Sequence, residues 1–171
     1  NFYVKKLSKN INYFITPSIY TLAYYLSLGI PSNKIVRVFN SSEIEQSNFI
    51  NIREKYNISK EKKIVLYFGR IEDYKGINIL IKAFESLKLN NLILLVCGGG
   101  EQVKSNDDRI IFVGNVPPNL RYSFYSCADI FVLPNNYKNK IEAWGLTVNE
   151  AMSCGLPILV SNATGCSFDL V

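Results

Sequence analysis

Five short apolar runs, separated by segments of helical periodicity, constrain the fold of this 171-residue chain more than any other feature. A continuous apolar run is typical of a strand that is buried on both faces of a parallel sheet. Strict alternation of such strands with helices predicts an α/β fold with a doubly wound, Rossmann-like parallel sheet and right-handed crossovers. The predicted strands span residues 64–68, 92–97, 110–113, 130–133 and 158–160, and the predicted helices span residues 77–87, 119–126 and 147–153.

The first 60 residues carry shorter and less regular patterns. Residues 11–33 have no charge, but polar residues interrupt them and Pro17 lies inside them. A strand followed by a buried helix therefore explains this stretch better than a membrane span, which needs about 20 mostly apolar residues. The predicted elements are a strand over 11–16, a helix from Pro17 that ends at Gly29, a strand over 34–39, a polar linker over 40–47 and a short helix over 48–56.

Composition argues against several classes of function. Lysine and arginine number 19 against 14 acidic residues, and the net charge of +5 suits an anionic small molecule or an anionic membrane surface. No arginine-rich arm or basic helix points to nucleic acid. The absence of histidine and of any Cys-x-x-Cys pair argues against a zinc site and against Ser-His or Cys-His catalysis. Scattered cysteines and no visible signal peptide favour reduced core thiols and a cytoplasmic location; they are Cys97, Cys127, Cys154 and Cys166.

Charged and glycine-rich segments follow the ends of the predicted strands. Arg70 and Lys75 come after the first buried strand, three glycines at 98–100 follow the second, and Glu142 and Glu150 follow the fourth. Ligands of doubly wound sheets bind outside the carboxyl ends of the strands, so we expect these segments to meet at one edge. Cations suit phosphate and carboxylates suit hydroxyl groups. The pattern predicts a ligand that is anionic at one end and rich in hydroxyls at the other, such as a nucleotide sugar.

Each of these residues also has a structural interpretation that the sequence leaves open. Arg70 and Lys75 fit solvated surface cations, and Glu142 fits a solvated loop carboxylate. Thr147 and Glu150 have the spacing of a capping box at a helix start. The glycines at 98–100 fit a tight turn, and they lack the G-x-G-x-x-G spacing of a dehydrogenase loop. A two-carboxylate glycosidase would leave both cations unexplained.

The order of these motifs resembles that of retaining GT-B glycosyltransferases of glycosyltransferase family 4. The resemblance covers nearly the whole chain and rests on an ordered set of motifs at near-family spacing. Ala143 and Trp144 stand where the family has Pro-Phe. The motifs are Thr16-Pro17-Ser18, Asn40-Ser41, Gly69-Arg70, Lys75-Gly76, Gly98–Gly100, Ala128-Asp129 to Pro134, Glu142 to Pro157, and the tail Thr164–Val171.

The resemblance implies a donor site built from named residues. Arg70 and Lys75 are expected to neutralise the donor diphosphate, and Glu142 is expected beside the donor sugar; these three form the predicted catalytic set. Glu150 is expected to hold the ribose hydroxyls, because a carboxylate presents two oxygens. Val113-Gly114-Asn115 is expected near the base, with main-chain contacts. The other residues expected to bind the donor are Gly69, Gly98, Gly100, Trp144, Gly145, Leu146 and Thr147.

The resemblance also implies the reaction. We expect retaining transfer of a hexose from a UDP- or GDP-linked donor to a sugar, glycan or lipid-linked acceptor, in glycan or surface polysaccharide synthesis. No cofactor and no metal are expected, and the chain lacks an Asp-x-Asp cluster that would hold a divalent ion on the diphosphate. The expected location is the cytoplasm, including peripheral association with the inner face of the membrane.

The resemblance finally implies how the chain is divided. Residues 1–40 are expected to be the tail of an acceptor-binding domain, residues 41–60 a linker and lead-in, and residues 61–171 a nucleotide-sugar domain that is incomplete at its C-terminus. We therefore expect the chain alone to bind nucleoside diphosphate weakly and to transfer no sugar. A non-catalytic nucleotide-binding module on the same fold is the alternative, and the joint presence of both cations and both glutamates favours the enzyme.

Overall fold

Two short parallel strands and the helix between them follow residue 13 in the structure, a computed structural model that describes residues 4, 6, 8–46, 48–138 and 142–171. Parts of the predicted acceptor-domain tail (residues 1–3, 5 and 7) and of the predicted linker (residue 47) therefore lie outside the described residues. The elements are β1 (Phe14–Thr16), α1 (Ile19–Ser27), a 3-10 turn (Ser32–Lys34) and β2 (Ile35–Arg37), and the two strands pair in parallel.

Helix α1 begins later than predicted and is not buried. The Ser18 hydroxyl accepts a hydrogen bond from the Thr21 amide at 3.2 Å, and the Ser18 amide donates to the Thr21 hydroxyl. This reciprocal cap fixes the helix start at Ile19, so Pro17 lies outside the helix. Every residue of α1 keeps part of its surface exposed, and Tyr24 is 54% exposed. The prediction of a buried helix is wrong, because a two-stranded sheet is too small to cover it.

The second part begins with a short helix and continues into the large sheet. Helix α2 (Ile52–Lys55) is shorter than predicted because the Asn51 side chain caps it by accepting from the Glu54 amide at 3.2 Å. The elements that follow are β3 (Lys63–Phe68), a 3-10 turn (Asp73–Lys75), α3 (Ile77–Ser86), β4 (Leu92–Cys97), β5 (Ile110–Gly114), a 3-10 turn (Pro118–Leu120), α4 (Arg121–Cys127), β6 (Ile130–Leu133), α5 (Leu146–Ser153), β7 (Ile158–Val160) and α6 (Ser167–Leu170).

The five strands β3 to β7 form one parallel sheet in the order β5-β4-β3-β6-β7. The predicted α/β fold with a parallel sheet is confirmed. The chain moves outward from β3 to β5 and then returns to place β6 on the other side of β3. The carboxyl ends of β3 and β6 therefore flank the topological switch point, where open α/β sheets bind their ligands.

The core lies between this sheet and its helices. Ile64 and Leu66 of β3 have no exposed surface, and neither do Leu94 and Leu95 of β4. This burial on both faces explains why these strands read as continuous apolar runs. The helices add their own apolar stripes, with Phe84 of α3 only 2% exposed.

The four cysteines are free thiols, as predicted. Cys97 and Cys166 are buried, and Cys127 and Cys154 are half-buried. Burial raises the pKa of Cys127 to about 11 and that of Cys166 to about 12. These thiols are therefore protonated at neutral pH and act as small apolar core groups.

The C-terminal helix α6 joins the two parts of the structure. Asp169 accepts a hydrogen bond from the Ile19 amide at 3.0 Å and forms an ion pair with Arg37. The Asp169 side chain is only 3% exposed. A residue near the end of the chain thus fixes the start of α1 and the end of β2. Within the described residues, the helices lack the combination of length and apolar character that a membrane span needs.

Candidate active site

The loops that leave β3 and β4 lie against each other at the carboxyl edge of the sheet. The Gly69 amide donates to the Cys97 carbonyl at 3.0 Å, and the Ile71 amide donates to the Gly99 carbonyl at 2.8 Å. Gly98 has a φ of +136°, and a Cβ there would lie 1.8 Å from the Gly69 carbonyl oxygen. Only glycine fits this position, and the close backbone approach brings the Arg70 loop and the triple-glycine loop together.

Lys75 and Glu142 form an ion pair in the switch-point crevice. Lys75 ends the 3-10 turn after β3, and Glu142 lies in the loop after β6. The Lys75 Nζ donates to the Glu142 Oε2, and only 11% and 18% of the two side chains is exposed. The Lys75 Nζ also lies 5.3 Å from the centre of the Tyr74 ring. The structure therefore joins two of the three predicted catalytic residues directly.

Arg70 faces the same crevice but is more accessible. Its Nη1 lies 2.7 Å from a Glu72 carboxylate oxygen, and its side chain is 65% exposed. The loop behind it is fixed, because the Tyr67 hydroxyl donates to the Arg70 carbonyl at 2.7 Å. Burial raises the pKa of Tyr67 well above its ordinary value, so this hydroxyl stays protonated.

Two adjacent cavities open at this edge of the sheet. The first, of about 420 Å³, is lined by residues from the linker, the β3 loop and the β6 loop: Asn40, Gly69, Arg70, Tyr74, Lys75, Glu142, Ala143, Trp144, Gly145, Leu146 and Thr147. The second, of about 260 Å³, is lined by Phe68, Gly69, Arg70, Lys75, Gly98, Gly99, Asn115, Val116, Arg121 and Thr147. Four of these residues line both, so the two cavities form a single cleft with Arg70 and Lys75 at its centre.

Helix α5 points its first turn at this cleft. Gly145 is the N-cap and has no side chain with which to cap, so the backbone amides at the helix start face the cleft. The Trp144 side chain is 2% exposed, and its Nε1 donates to the Asn149 Oδ1 at 2.7 Å. Asn149 in turn donates to the Asn40 carbonyl at 3.1 Å. These bonds tie the end of the β2 segment to the wall of the cleft.

Glu150 is buried and already has two partners. It accepts from the Arg121 Nη1 at 2.9 Å and from the Tyr125 hydroxyl at 2.7 Å. Burial, reinforced by the charge of Glu150, raises the pKa of Tyr125 far above its ordinary value, so the phenol donates this bond permanently. The capping-box interpretation is therefore wrong. Glu150 turns toward α4 instead of closing on Thr147.

The cleft includes most, but not all, of the predicted donor-binding residues. Gly69, Gly98, Trp144, Gly145, Leu146 and Thr147 line it. Gly100, Val113 and Glu150 lie outside both cavity linings as the described residues define them. Gly100 forms an isolated parallel β-bridge with Ile71, and Val113 packs against the hydrophobic core. Asn115, the last residue of the segment expected near the base, lines the second cavity together with Val116.

Sequence reasoning missed Arg121, which lines the second cavity. Its guanidinium carbon lies 5.5 Å from the centre of the Phe68 ring, and its side chain is 35% exposed. No motif singles it out, because its partner Glu150 lies 29 residues away in the sequence. A lone arginine at the start of a predicted amphipathic helix is indistinguishable from a solvated one.

Among the described residues, no three His, Cys, Asp or Glu side chains gather closely enough to hold a metal ion. Transfer without a metal stays a prediction, because an ion can also be carried by the substrate.

The chain belongs to the glycosyl transferases group 1 family, which residues 48–168 match. An uncharacterized glycosyltransferase of Methanocaldococcus jannaschii is 30% identical over 126 residues, which cover 68% of this chain and 31% of that protein. The lipopolysaccharide 1,2-N-acetylglucosaminetransferase of Salmonella typhimurium is 28% identical over 188 aligned positions, 98% of this chain and 48% of that protein. The chain thus spans about a third to a half of the length of these curated relatives.

Solved structures share the fold. HepE of Anabaena, solved in complex with UDP-glucose, has a TM-score of 0.75 at 18% identity over 94% of this chain and 47% of its own. WaaG, a glycosyltransferase involved in lipopolysaccharide biosynthesis, has a TM-score of 0.71 at 19% identity over 90% of this chain and 45% of its own. The fold is that of GT-B glycosyltransferases, and at these identities the likeness concerns the fold alone.

Proposed function

We propose that this chain is the donor-binding part of a glycosyltransferase that transfers a hexose from a nucleoside diphosphate sugar to a sugar, glycan or lipid-linked acceptor. One observation carries the proposal: Arg70, Lys75 and Glu142 meet in one cleft at the switch point of the sheet. Membership of the glycosyl transferases group 1 family supports the reaction type.

The cations suit the leaving group of such a reaction. The nucleoside diphosphate gains negative charge as the sugar departs, and fixed cations stabilise that charge. Lys75 acts as a point charge from inside the crevice, and Arg70 can grip a phosphate with two parallel hydrogen bonds. In the structure, Lys75 pairs with Glu142 and Arg70 pairs with Glu72. Donor binding is therefore an exchange in which phosphate oxygens replace carboxylate oxygens.

Glu142 is the group that we assign to the donor sugar. Once phosphate occupies Lys75, its carboxylate can accept a hydrogen bond from a sugar hydroxyl or stabilise an oxocarbenium-like centre. We propose that transfer retains the anomeric configuration and needs no metal, since the two cations supply the charge that a divalent ion would otherwise supply. Both features carry over from the resemblance to retaining GT-B enzymes.

We propose that Glu150 binds the ribose hydroxyls through the lone pairs that its two protein partners leave available. A carboxylate has about four lone-pair positions, and Arg121 and Tyr125 use two of them. Because Glu150 is only 6% exposed, the ribose hydroxyls must reach it beside Arg121. In the predicted segment 113–115, we place the base beside Asn115 and the following Val116, which line the cleft, and not beside Val113.

The ligands and reactions in the names of similar proteins suggest which donors to test first. HepE was solved with UDP-glucose, and the Salmonella relative is named for N-acetylglucosamine transfer in lipopolysaccharide. UDP-linked donors are therefore tested before GDP-linked ones. We further propose that the enzyme acts in the cytoplasm, at the inner face of the membrane where it reaches lipid-linked acceptors. The net charge of +5 would favour an anionic surface.

Calorimetry with UDP, GDP and their glucose and mannose conjugates tests the proposal on this chain. We expect weak, saturable binding of at least one diphosphate and no sugar transfer by the chain alone. Lys75→Ala should weaken this binding. Lys138→Ala is its matched control and should bind as wild type does, because Lys138 is a cation of the loop after β6 that lines neither cavity of the cleft. Wild-type protein that binds neither UDP nor GDP would contradict the proposed function.

The reaction itself is tested with a form that includes an acceptor-binding domain. Product proton couplings should show the donor's anomeric configuration, and an added chelator should leave the rate unchanged. An inverted product would reject retention, and a strict manganese requirement would reject metal independence. Tight donor binding with neither transfer nor donor hydrolysis would favour a non-catalytic nucleotide-binding module instead.

A further inference from the structure

Each of three cations that line the cleft has its own carboxylate. Arg70 pairs with Glu72, Lys75 pairs with Glu142, and Arg121 pairs with Glu150. The first two cations come from the loop after β3, and their motif predicts a role at the diphosphate. Arg121 lies on a different element, since it is the first residue of helix α4. It lines the same cavity as Arg70 and Lys75.

Arg121 is held in a defined orientation. Its Nη1 donates to Glu150, and its guanidinium lies over the Phe68 ring, which is itself stacked on Tyr125 with ring centres 5.2 Å apart. Tyr125 and Glu150 are both buried and bonded to each other, so the support under Arg121 is rigid. A cation that is fixed before the ligand arrives binds an anion without the cost of ordering a side chain.

The resting contacts of Arg121 leave donors unsatisfied. Its Nε is fully buried and finds no acceptor among the described residues. Glu150 engages Nη1 alone. A guanidinium carries five N–H donors in one plane, and two oxygens of a phosphate group can accept two of them in parallel. Arg70, Lys75 and Arg121 line the same cavity, which has a volume of only about 260 Å³. A phosphate group bound in this cavity would therefore lie close to all three side chains.

We infer that Arg121 is a further donor-binding residue, which contacts the diphosphate as a third cation while it holds Glu150 in place for the nucleoside. The inference rests on the proposed function, since it assumes that a nucleoside diphosphate occupies the cleft. It assigns Arg121 a direct contact with the phosphates, in addition to its contact with Glu150. It also explains how a buried Glu150 remains compatible with an anionic ligand: Arg121 neutralises its charge.

Calorimetry with uridine, UMP and UDP on the 171-residue chain separates the contributions, because these ligands share a nucleoside and differ in phosphate count. We expect Arg121→Gln to weaken UDP binding by about 10- to 100-fold, the scale of losing a charge-assisted hydrogen bond. Uridine binding should change far less. Arg121→Lys, which keeps the charge, should recover part of the lost UDP affinity.

Tyr125→Phe is the matched control for an indirect effect. It removes the other hydrogen bond to Glu150 from a fully buried residue that lines neither cavity. A loss of UDP affinity equal to that of Arg121→Gln would mean that Arg121 acts only through Glu150, and would overturn the inference. If Arg121→Gln misfolds because Glu150 is left unpaired, the comparison is made between Glu150→Gln and the double variant Arg121→Gln with Glu150→Gln. UDP should bind more weakly to the double variant, and equal UDP affinity of the two would overturn the inference.

Lys63→Gln controls for net charge, because Lys63 lies at the amino end of β3, away from the cleft. If Lys63→Gln lowered UDP affinity as much as Arg121→Gln does, long-range electrostatics would explain the effect of Arg121, and the inference would be overturned. Equal losses of uridine and UDP affinity in Arg121→Gln would place Arg121 at the nucleoside, which would also overturn the inference.

The outcome for wild-type protein separates this inference from the proposed function. If wild-type protein bound neither UDP nor GDP, both would fail together. If wild-type protein bound UDP and Arg121→Gln bound it equally well, only the inference would fail.

Discussion

At the residue scale, the cleft is defined by charges that are already paired. Lys75 is only 9% exposed, and its Nζ is bound to Glu142. A buried charge that has a partner is stable, but removing one partner leaves the other uncompensated. Substitutions at Lys75 must therefore be judged beside a variant that neutralises Glu142 as well.

Lys75→Ala should reduce turnover strongly in a transfer-competent form of the protein. Loss of one preorganised charge donor removes about 2–4 kcal/mol of transition-state stabilisation, because the departing diphosphate loses its buried counter-charge. Steady-state rates at saturating donor measure this effect. Because Glu142 itself belongs to the proposed catalytic set, the effect of an unpaired Glu142 is measured as the free energy of unfolding of Lys75→Ala with and without Glu142→Gln, and Lys138→Ala should leave turnover unchanged. Near-normal turnover of Lys75→Ala would contradict the assignment.

Single residues were predictable where a motif and a strand end coincide. Arg70, Lys75 and Glu142 follow β3 and β6, and the rule for doubly wound sheets places them together. The partners of Glu150 were not predictable, because Arg121 and Tyr125 lie on another helix and no local spacing relates them. The Lys75–Glu142 pair is likewise a tertiary contact, which neither segment reveals alone.

At the scale of elements, the cleft depends on how closely the loops after β3 and β4 approach. Gly98 makes this approach possible, because a side chain there would occupy the position of the Gly69 carbonyl oxygen. The hydrogen bonds from Gly69 to Cys97, the last residue of β4, and from Ile71 to Gly99 in the following loop then continue the pairing beyond the end of β3. The backbone that carries Arg70 is positioned by the neighbouring loop.

Gly98→Ala should destabilise the fold and weaken UDP binding together. Strain at its positive φ costs about 1–3 kcal/mol by itself, and the clash with Gly69 adds to this. Gly155→Ala is the matched control: Gly155 also has a positive φ, but a Cβ there meets nothing within 4 Å. We expect it to cost only about 1–2 kcal/mol and to spare UDP binding. Urea unfolding and calorimetry measure the two effects, and equal behaviour of the two variants would contradict the close-approach argument.

The elements that the sequence predicted best are the buried ones. The bounds of β4 and β6 match the predicted strands, because a strand covered on both faces leaves an uninterrupted apolar run. The bounds of β7 also match, although this edge strand leaves Leu159 58% exposed. Predictions for the first 60 residues were poorer. The strands β1 and β2 are shorter than predicted, and α1 is exposed, because their apolar residues are not organised around a large sheet. The short helix α6 has no periodic pattern and was not predicted as a helix.

At the scale of the whole molecule, one carboxylate joins the first 40 residues to the rest. Asp169 bonds to the Ile19 amide and pairs with Arg37, and its side chain is almost fully buried. The bond from Asn149 to the Asn40 carbonyl adds a second connection beside the cleft. The proposed division at residues 40 and 60 stays a prediction, but these contacts show how the first segment is positioned.

Asp169→Asn should loosen the first segment and leave the five-stranded sheet intact. The variant loses the charge that pairs with Arg37, and we expect a local loss of about 1–3 kcal/mol, the cost of an unmatched buried polar group. Hydrogen exchange should become faster in β1, α1 and β2 and stay unchanged in β3 and β4. Asp108→Asn, at an exposed acidic residue, is the control. Unaltered exchange in the first segment would show that other contacts hold it.

The strand order also dictates when the cleft can come into being during synthesis. β3 pairs with β4 at once, but its other neighbour is β6, and the lysine of the cleft meets a carboxylate 67 residues further along the chain. A nascent chain that has emerged only as far as β5 therefore exposes one unpaired, apolar edge of its central strand. Such edges invite pairing with other chains. Until β6 is inserted beside β3, this edge remains open to pairing with other chains, and the cleft cannot form before that insertion.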